Sequence, residues 1–305
     1  MRRLLAALIL AGLALIGGAG ALRAQDDTPP MSPAKPAAGS ATPAKLLFGA
    51  VKEPASDLAP RAIGFYSRGC LAGGEALPIN GPTWQAMRLS RNRNWGHPDL
   101  VVFLEQLAAR APKVGWPGLL VGDMAQPRGG PMASGHASHQ IGLDADIWLT
   151  PMPKREYTAK EREDVSATMI VRPDRLDVDA KVWTPAHVAI IRAAAQDERV
   201  ERVLVNAAIK KALCRDAKGD RAWLQKVRPY WGHDYHMHVR ISCPASSPDC
   251  RPQDAVVPGD GCDKLDWWFS EGVLHPKPPK VPPKPAPPVT LAQLPPACAA
   301  VLKAP

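Results

Sequence analysis

Two short windows hold most of the residues that could do chemistry. The first, Ser134-Gly-His-Ala-Ser-His-Gln-Ile-Gly-Leu-Asp-Ala-Asp146, supplies His136 and His139 and then Asp144 and Asp146. The second, His233-Asp-Tyr-His-Met-His238, adds His233, His236 and His238. Five of the chain's eight histidines fall in these windows, so they read as one metal site. Zinc takes imidazole nitrogen and carboxylate oxygen at about 2.0–2.2 Å, and a catalytic site keeps one position open for solvent. Three protein ligands are therefore expected rather than four. The spacing of His139 and Asp146 suits a loop feeding a strand. His236 and His238 stand two apart in a strand-like run, which puts both imidazoles on one face and Met237 with Val239 on the other. One of the pair can bind metal while its neighbour acts as base or electrostatic stabiliser.

The remaining candidates carry quieter readings. Asp144 can share the strand face of Asp146 and is expected to hydrogen-bond behind a ligand. His136 and His233 are open to two roles, orienting a ligand or touching substrate. His97 and His187 are expected to be structural, and His275, beside the proline-rich tail, plain surface. A serine hydrolase is disfavoured: Ser138 neighbours His139, but no G-x-S-x-G elbow occurs. A structural zinc site lacks its C-x-x-C pairs, and the HExxH motif is absent.

The longer run of motifs resembles a known family. His139-x6-Asp146 followed by His236-x-His238 resembles the superfamily of lysostaphin, the D-Ala-D-Ala metallopeptidases and the hedgehog signalling domain. Within it, Gly122-Asp-Met, Gly135-His-Ala-Ser-His-Gln-x-Gly-Leu-Asp-x-Asp-Ile, Lys226-Val-Arg-Pro and His236-Met-His-Val-Arg240 resemble the penicillin-insensitive murein endopeptidases, periplasmic zinc enzymes of Gram-negative bacteria. The resemblance runs from about Cys70 to Cys298. It implies His139, Asp146 and His238 as zinc ligands, with His136 grouped beside them as a ligand or a supporting residue. It implies His236 as general base and His233 as its companion in the pocket. Some family members carry an accessory Asp and His for a second metal; here Asp174 to Trp183 contains no histidine and departs from that pattern.

Stepping outward, the elements that must position these residues can be read in part. Leu100, Phe103, Leu104, Leu107 and Ala108 make one face of a helix over Asp99 to Arg110. Strands are expected over Gly118 to Asp123, Leu143 to Leu149, Val200 to Asn206 and, bearing the second histidine window, Tyr235 to Ser242. Thr184-Pro185 opens a helix to about Gln196, with Thr as cap and Pro at the first position. Short helices are expected over Ala207 to Leu213 and Ala222 to Val227. Helices and strands do not alternate regularly, so the expected fold is α+β: one domain, a central antiparallel sheet carrying the zinc site, flanking helices and disulfide staples.

Met1 to Ala24 reads as a secretory signal with Arg2 and Arg3 before an apolar core, cut after Ala24 or Ala21; a retained anchor is the alternative. Residues 25–45 read as a disordered Pro/Ala-rich linker, 46–274 as the metallopeptidase domain and 275–305 as a proline-rich arm tied back by Cys298. The arm reads as an extended spacer, with partner docking as the alternative. Loss of Arg2, Arg3 and Arg23 would lower the formal charge from +9 to +6, compatible with an acidic polymer. Six cysteines in an exported chain suggest three disulfides, of fifteen possible connectivities; free or metal-binding thiols are the alternative. The resemblance implies Cys70–Cys298, Cys214–Cys262 and Cys243–Cys250. Arg91, Arg93, Arg128 and especially Arg240 are candidates to meet substrate carboxylates, against plain surface roles. Gly129-Gly130 reads as backbone leaving room for a bulky polymer.

The chain is thus expected to be a periplasmic zinc peptidase that cuts the D-alanyl–meso-diaminopimelyl cross-link of peptidoglycan. A D,D-carboxypeptidase or another amidase on the same polymer is one alternative; a non-catalytic zinc-containing peptidoglycan-binding module is the other. Peptidoglycan is the expected partner, with neither nucleic acid nor, after signal cleavage, stable membrane insertion. Oligomeric state and exact cross-link preference are not readable.

Overall fold

The computed structural model describes residues 42–281 and 286–305. The expected signal, most of the linker and residues 282–285 of the proline arm lie outside the described residues. Helix α1 (Ala44–Ala50) is followed by strands β1 (Arg61–Phe65), β2 (Arg68–Ala72), β3 (Glu75–Ala76), β4 (Asn80–Gly81), β5 (Trp84–Ala86) and β6 (Trp95–Gly96). Then come α2 (Pro98–Arg110), β7 (Leu119–Val121), β8 (Asp144–Trp148), α3 (Ala159–Asp164) and α4 (Pro185–Ala195). The chain continues through β9 (Val200–Val205), α5 (Ala207–Asp216), β10 (Val227–Pro229), β11 (His236–Ile241), α6 (Glu271–Leu274) and α7 (Ala297–Lys303). No helix among the described residues is long and apolar enough to cross a membrane.

The fold is α+β. A seven-stranded sheet runs in the order β10-β9-β11-β8-β7-β5-β4. Its middle is antiparallel, β9 to β11 to β8 to β7, as the sequence predicts. Toward the edges β10–β9 and β7–β5 pair in parallel. Both parallel pairs are built by a helix crossing between two strands, α2 joining β5 to β7 and α5 leading from β9 towards β10. Strands of three residues leave too little period-two signal for these crossovers to be read from sequence.

The helices behind the sheet supply the core. Leu100, Phe103, Leu104 and Leu107 of α2 and Ile190 and Ile191 of α4 are buried, each 0–1% exposed, against Ala145, Ile147, Met237, Val239 and Ile241 of the two central strands. Burying each larger side chain contributes about 1.5–3 kcal/mol. Because side chains alternate along a strand, this apolar layer fixes which residues of β8 and β11 point the other way. A second apolar cluster joins Ala44 and Phe48 of α1, Ile63, Cys70, Leu294, Cys298 and Val301. Ala44 thus lies inside a helix, within the stretch assigned from sequence to the linker, because it has apolar neighbours to bury against.

The disulfides are Cys70–Cys298, Cys214–Cys262 and Cys243–Cys250, the connectivity the family resemblance implies, with Cα separations of 5.7, 5.8 and 5.7 Å. The first closes 228 residues and fastens α7 to β2 within the second cluster. Cross-links of this kind contribute about 2–5 kcal/mol.

Candidate metal centre

The register of two strands assembles the site. In the antiparallel pair of β11 with β8, His238 stands opposite Asp146, Arg240 opposite Asp144 and His236 opposite Trp148. Directly opposed side chains on one face of such a pair have their Cβ atoms only about 4.5–5.5 Å apart. The core packing of Met237, Val239, Ala145 and Ile147 turns all six toward the other face. The loop between β7 and β8 then brings His136 and His139 over the strand ends. His139 has φ +67° and His233 φ +58°, the left-handed region that costs a non-glycine residue about 1–3 kcal/mol. Both strained histidines lie in the site.

Asp146 is the hub. Its Oδ1 lies 3.5 Å from His139 Nε2, 3.5 Å from His236 Nε2 and 3.2 Å from His238 Nδ1. Its Oδ2 lies 3.4 Å from His136 Nε2. Ring nitrogens of His136 and His139 and an Asp146 oxygen all fall within 4.8 Å of one another, the one histidine–carboxylate group of this kind among the described residues. His238 stands outside that trio but touches its carboxylate. His139 is wholly buried, yet neither of its ring nitrogens has a hydrogen-bond partner, and Asp146 Oδ1 and His236 Nδ1 also lack one. Unpaired buried polar atoms cost about 1–3 kcal/mol each, so His139 Nε2 and Asp146 Oδ1, facing each other at 3.5 Å, need an explanation. A divalent cation could supply it, because imidazole nitrogen and carboxylate oxygen are a borderline ion's preferred donors.

The surroundings hold the donors in place. Asp144, fully buried, accepts from His238 Nε2 at 2.6 Å and from Arg240 Nε at 2.7 Å. That bond leaves His238 Nδ1 facing Asp146, as an oriented metal-binding imidazole requires. Burial opposes charge on His238, but its hydrogen bond with Asp144 and the neighbouring Asp146 carboxylate outweigh it and raise the ring to about 9. That proton must leave before Nδ1 can accept a cation. Burial lowers His139 and His236, against the pull of Asp146. Burial, with His236 and His238 adding repulsion, pushes His233 down to about 3. His236 and His233 are thus kept neutral and able to accept a proton. Their rings lie 4.7 Å apart, and His233 Nδ1 is held 2.7 Å from the Trp231 carbonyl.

Asp123 is the site residue that sequence reasoning missed. Its Oδ2 lies 3.0 Å from His136 Nε2, 3.0 Å from Arg91 and 2.9 Å from Arg93. Burial would raise its carboxyl, but His136, Arg91 and Arg93 hold it at about 2. Backbone bonds from Gly122 N to Asp146 O and from Asp146 N to Asp123 O, 2.8 and 2.9 Å, carry it alongside the hub. The available signal was an aspartate two residues past a strand, in the Gly122-Asp-Met run already singled out. A cleft of about 280 Å³ opens beside these residues, walled by Arg88, Arg91, Trp148, Met169, Tyr235 and His236.

Several expectations about neighbouring residues are corrected. Arg240 does not reach substrate: it is buried, bonded to Asp144 and Gln253, and stacked 3.6 Å from the centre of the Tyr66 ring. Arg128 is buried and donates to the carbonyls of Glu53, Val301, Leu302 and Ala304, pinning the C-terminal helix. Arg93 is spent on Asp123 and Ser134; Arg91 alone of the four keeps a half-exposed side chain at the cleft. Gly129 and Gly130 make no room for a polymer. A Cβ at Gly129 would meet Gln140 O at 2.1 Å, and one at Gly130 the Phe48 ring at 2.3 Å, so both serve close packing. His97 and His187 are structural, each capping a helix, and His275 is exposed. Asp174 and Asp177 pair with Arg172 and Arg215 on the surface.

An α+β sheet thus carries on one face a histidine–carboxylate group that could hold a metal ion beside a cleft. Residues 62–303 match the sequence model of the penicillin-insensitive murein endopeptidase family, and the chain belongs to that family, a family of peptidases. Three relatives described as penicillin-insensitive murein endopeptidase illustrate the likeness. That of Klebsiella pneumoniae is 41% identical over 96% of this chain and 97% of its own. That of Yersinia enterocolitica is 45% identical over 77% and 86%. That of Haemophilus influenzae is 44% identical over 76% and 82%.

Proposed function

We propose that the chain is a zinc-dependent endopeptidase of the periplasm, exported by its first 24 residues, that cuts the D-alanyl–meso-diaminopimelyl cross-link of peptidoglycan. The relatives' shared description as murein endopeptidases supports the polymer. The observation that carries the metal chemistry is the convergence of unpartnered, buried His139 and Asp146 atoms with His136 and His238 on one point. His139, Asp146 and His238 are assigned as ligands. His136, tied at once to Asp146 and to Asp123, is assigned as a fourth donor or as the residue that orients Asp146. Bound zinc supplies Lewis acidity at the scissile carbonyl and makes the attacking water more acidic.

The chain's own residues do the rest. His236, kept neutral by burial and with Nε2 3.5 Å from Asp146 Oδ1, takes the proton of the attacking water and returns it to the leaving amine. His233 packs against His236 and, with Nδ1 committed to the Trp231 carbonyl, fixes its neighbour's orientation. Asp144 and Arg240 hold the His238 ring from behind. Arg91 offers its exposed guanidinium to the carboxylates of the peptide stem at the cleft wall. No serine nucleophile takes part, so β-lactams are not expected to acylate the protein. Three disulfides suit the oxidising compartment in which the polymer lies.

Purified cross-linked muropeptide dimers test this reading, digested with and without a zinc chelator and analysed by mass spectrometry. Conversion to monomers that stops on chelation and returns with added zinc is expected. Loss of terminal D-alanine from intact dimers would mark a carboxypeptidase instead. Binding of the polymer without any cleavage would defeat the enzymatic reading.

A further inference from the structure

The proposed hydrolysis leaves an aromatic cluster beside the His233 loop unused. Trp231 is 42% exposed and Trp267 38%, with Trp268 half-buried between them. Ring centroids lie 5.0 Å apart for Trp267–Trp268, 5.1 Å for Trp231–Trp268 and 6.0 Å for Trp231–Trp267, with planes inclined by 60–82°. Rings set edge to face cannot make a flat patch, so the three form a stepped aromatic surface, with a shallow notch at Trp231 and Trp268 closed below by Ala207, Tyr230 and Phe269. No hydrogen bond within the protein engages the three indole N–H groups among the described residues. Exposed indoles packed together are unfavourable in water unless something covers them, and they commonly mark a binding surface.

The notch is joined rigidly to the metal cleft. The Trp231 carbonyl engages His233 Nδ1 at 2.7 Å, and Asn206 donates to the Gly232 carbonyl at 3.0 Å while capping α5 with its Oδ1. Gly232, the one residue between Trp231 and His233, is therefore held in place, and a ligand at the aromatic surface lies at a fixed offset from the scissile bond.

We propose that Trp231, Trp267 and Trp268 bind the glycan strand of peptidoglycan while the stem peptide attached to it enters the metal cleft. The inference rests on the function proposed above. A pyranose ring has an apolar C–H face and a polar hydroxyl edge, and an indole matches both, with a π-face for the first and an N–H donor for the second. The outward faces of Trp231 and Trp267 are exposed for such stacking. Arg175 lies beside the rings, which suits a hydroxylated polymer better than a wholly apolar partner. Continuity decides the occupant: a polymer whose peptide branch reaches His236 must run its backbone past the wall that Trp231 begins.

Two measurements test it. Peptide-free glycan strands, and separately an N-acetylglucosamine hexamer, are titrated into the full-length protein while its nine indole 15N–H signals are followed by NMR. The signals of Trp231, Trp267 and Trp268 are expected to move, and those of the buried Trp116 and Trp223 to stay. Trp267→Ala is then compared with the parent on intact sacculi and on glycan-free cross-linked peptides. Its loss of kcat/KM is expected to be roughly tenfold greater on sacculi. Unmoved indoles at millimolar glycan, equal losses on the two substrates, or shifts that depend only on protein concentration each overturn the proposal. If Trp267→Ala does not fold, the titration of the parent still decides. A parent that binds glycan but cuts neither substrate refutes the peptidase reading alone; one that cuts peptide but ignores glycan refutes only this inference.

Discussion

Seven of the eight histidines are at least partly buried, and they fall into two groups that burial does not separate. His97 and His187 are each 2% exposed; His139, His238 and His236 are 0%, 2% and 7%. The difference lies in what the ring nitrogens meet. His187 Nδ1 faces Thr184 and its Nε2 lies 3.1 Å from the Leu149 carbonyl. His97 Nδ1 accepts from Asp99 N at the start of α2, with Ser246 at 3.5 Å from its other nitrogen. Both rings thus have a partner at each nitrogen. In the other group nitrogens are left unpaired beside a carboxylate that is itself underbonded. A buried imidazole without partners is poor structural material, so the unpaired group is the one that points to a ligand.

The largest expected break in that contrast is His139→Ala. It removes a donor from the proposed centre while leaving the core behind β8 intact. Bound metal should be lost, and activity on cross-linked peptide should fall at least about a thousandfold, roughly 4 kcal/mol of barrier. Metal analysis alongside circular dichroism checks this; a folded variant with full metal content and rate would remove His139 from the site. Asp144→Asn comes next. Asn cannot hold the His238 imidazole with a charge, and supporting partners of this kind are worth about 10–100-fold in metal affinity. Competition against a chelator measures the change, and the rate at saturating metal should recover most of the parent's value.

On the structural side, His97→Ala removes the side-chain acceptor at the N-cap of α2. Caps of this type contribute about 1 kcal/mol. A lower denaturation midpoint with unchanged metal content is expected. If metal were lost instead, the division between the two groups would fail.

That division was half legible in the sequence. Spacing alone puts His236 and His238 on one face of a strand and gathers His136, His139 and Asp146 ahead of it, because period-two alternation and a short loop are local properties. The cap over Thr184-Pro185 and the amphipathic face of α2 were readable for the same reason. Arg240 was misjudged because its strand face was right but its partner, Asp144 across the register, is set by pairing over a separation of 96 residues. Arg128 was misjudged likewise, since the carbonyls it holds lie 75 residues before it and 173 or more after it. Asp123 had no motif of its own and owes its place to backbone bonds between β7 and β8. What escaped the sequence was the long-range complement of correctly typed residues.

The smallest expected effect concerns protons. Burial lowers the His187 imidazole below its ordinary 6.5, against raising contributions from the Leu149 and Thr184 backbone. A histidine depressed in the folded state is more readily protonated in the unfolded chain. Between the two values unfolding takes up protons, so the stability that the neutral ring contributes is present above about pH 6.5 and is lost as pH falls through the folded value. Other buried groups, and metal release as pH falls, also shape the parent's curve and hide this effect in it. His187→Gln keeps a hydrogen-bonding side chain but cannot be protonated, and the metal centre is common to both proteins. The difference in melting temperature between the two should therefore shift in the variant's favour as pH falls from 7.5 to 5, with metal content equal at each point. A difference that stays flat with pH would mean that His187 is protonated inside the fold, and that a locally satisfied imidazole is not held neutral by its burial.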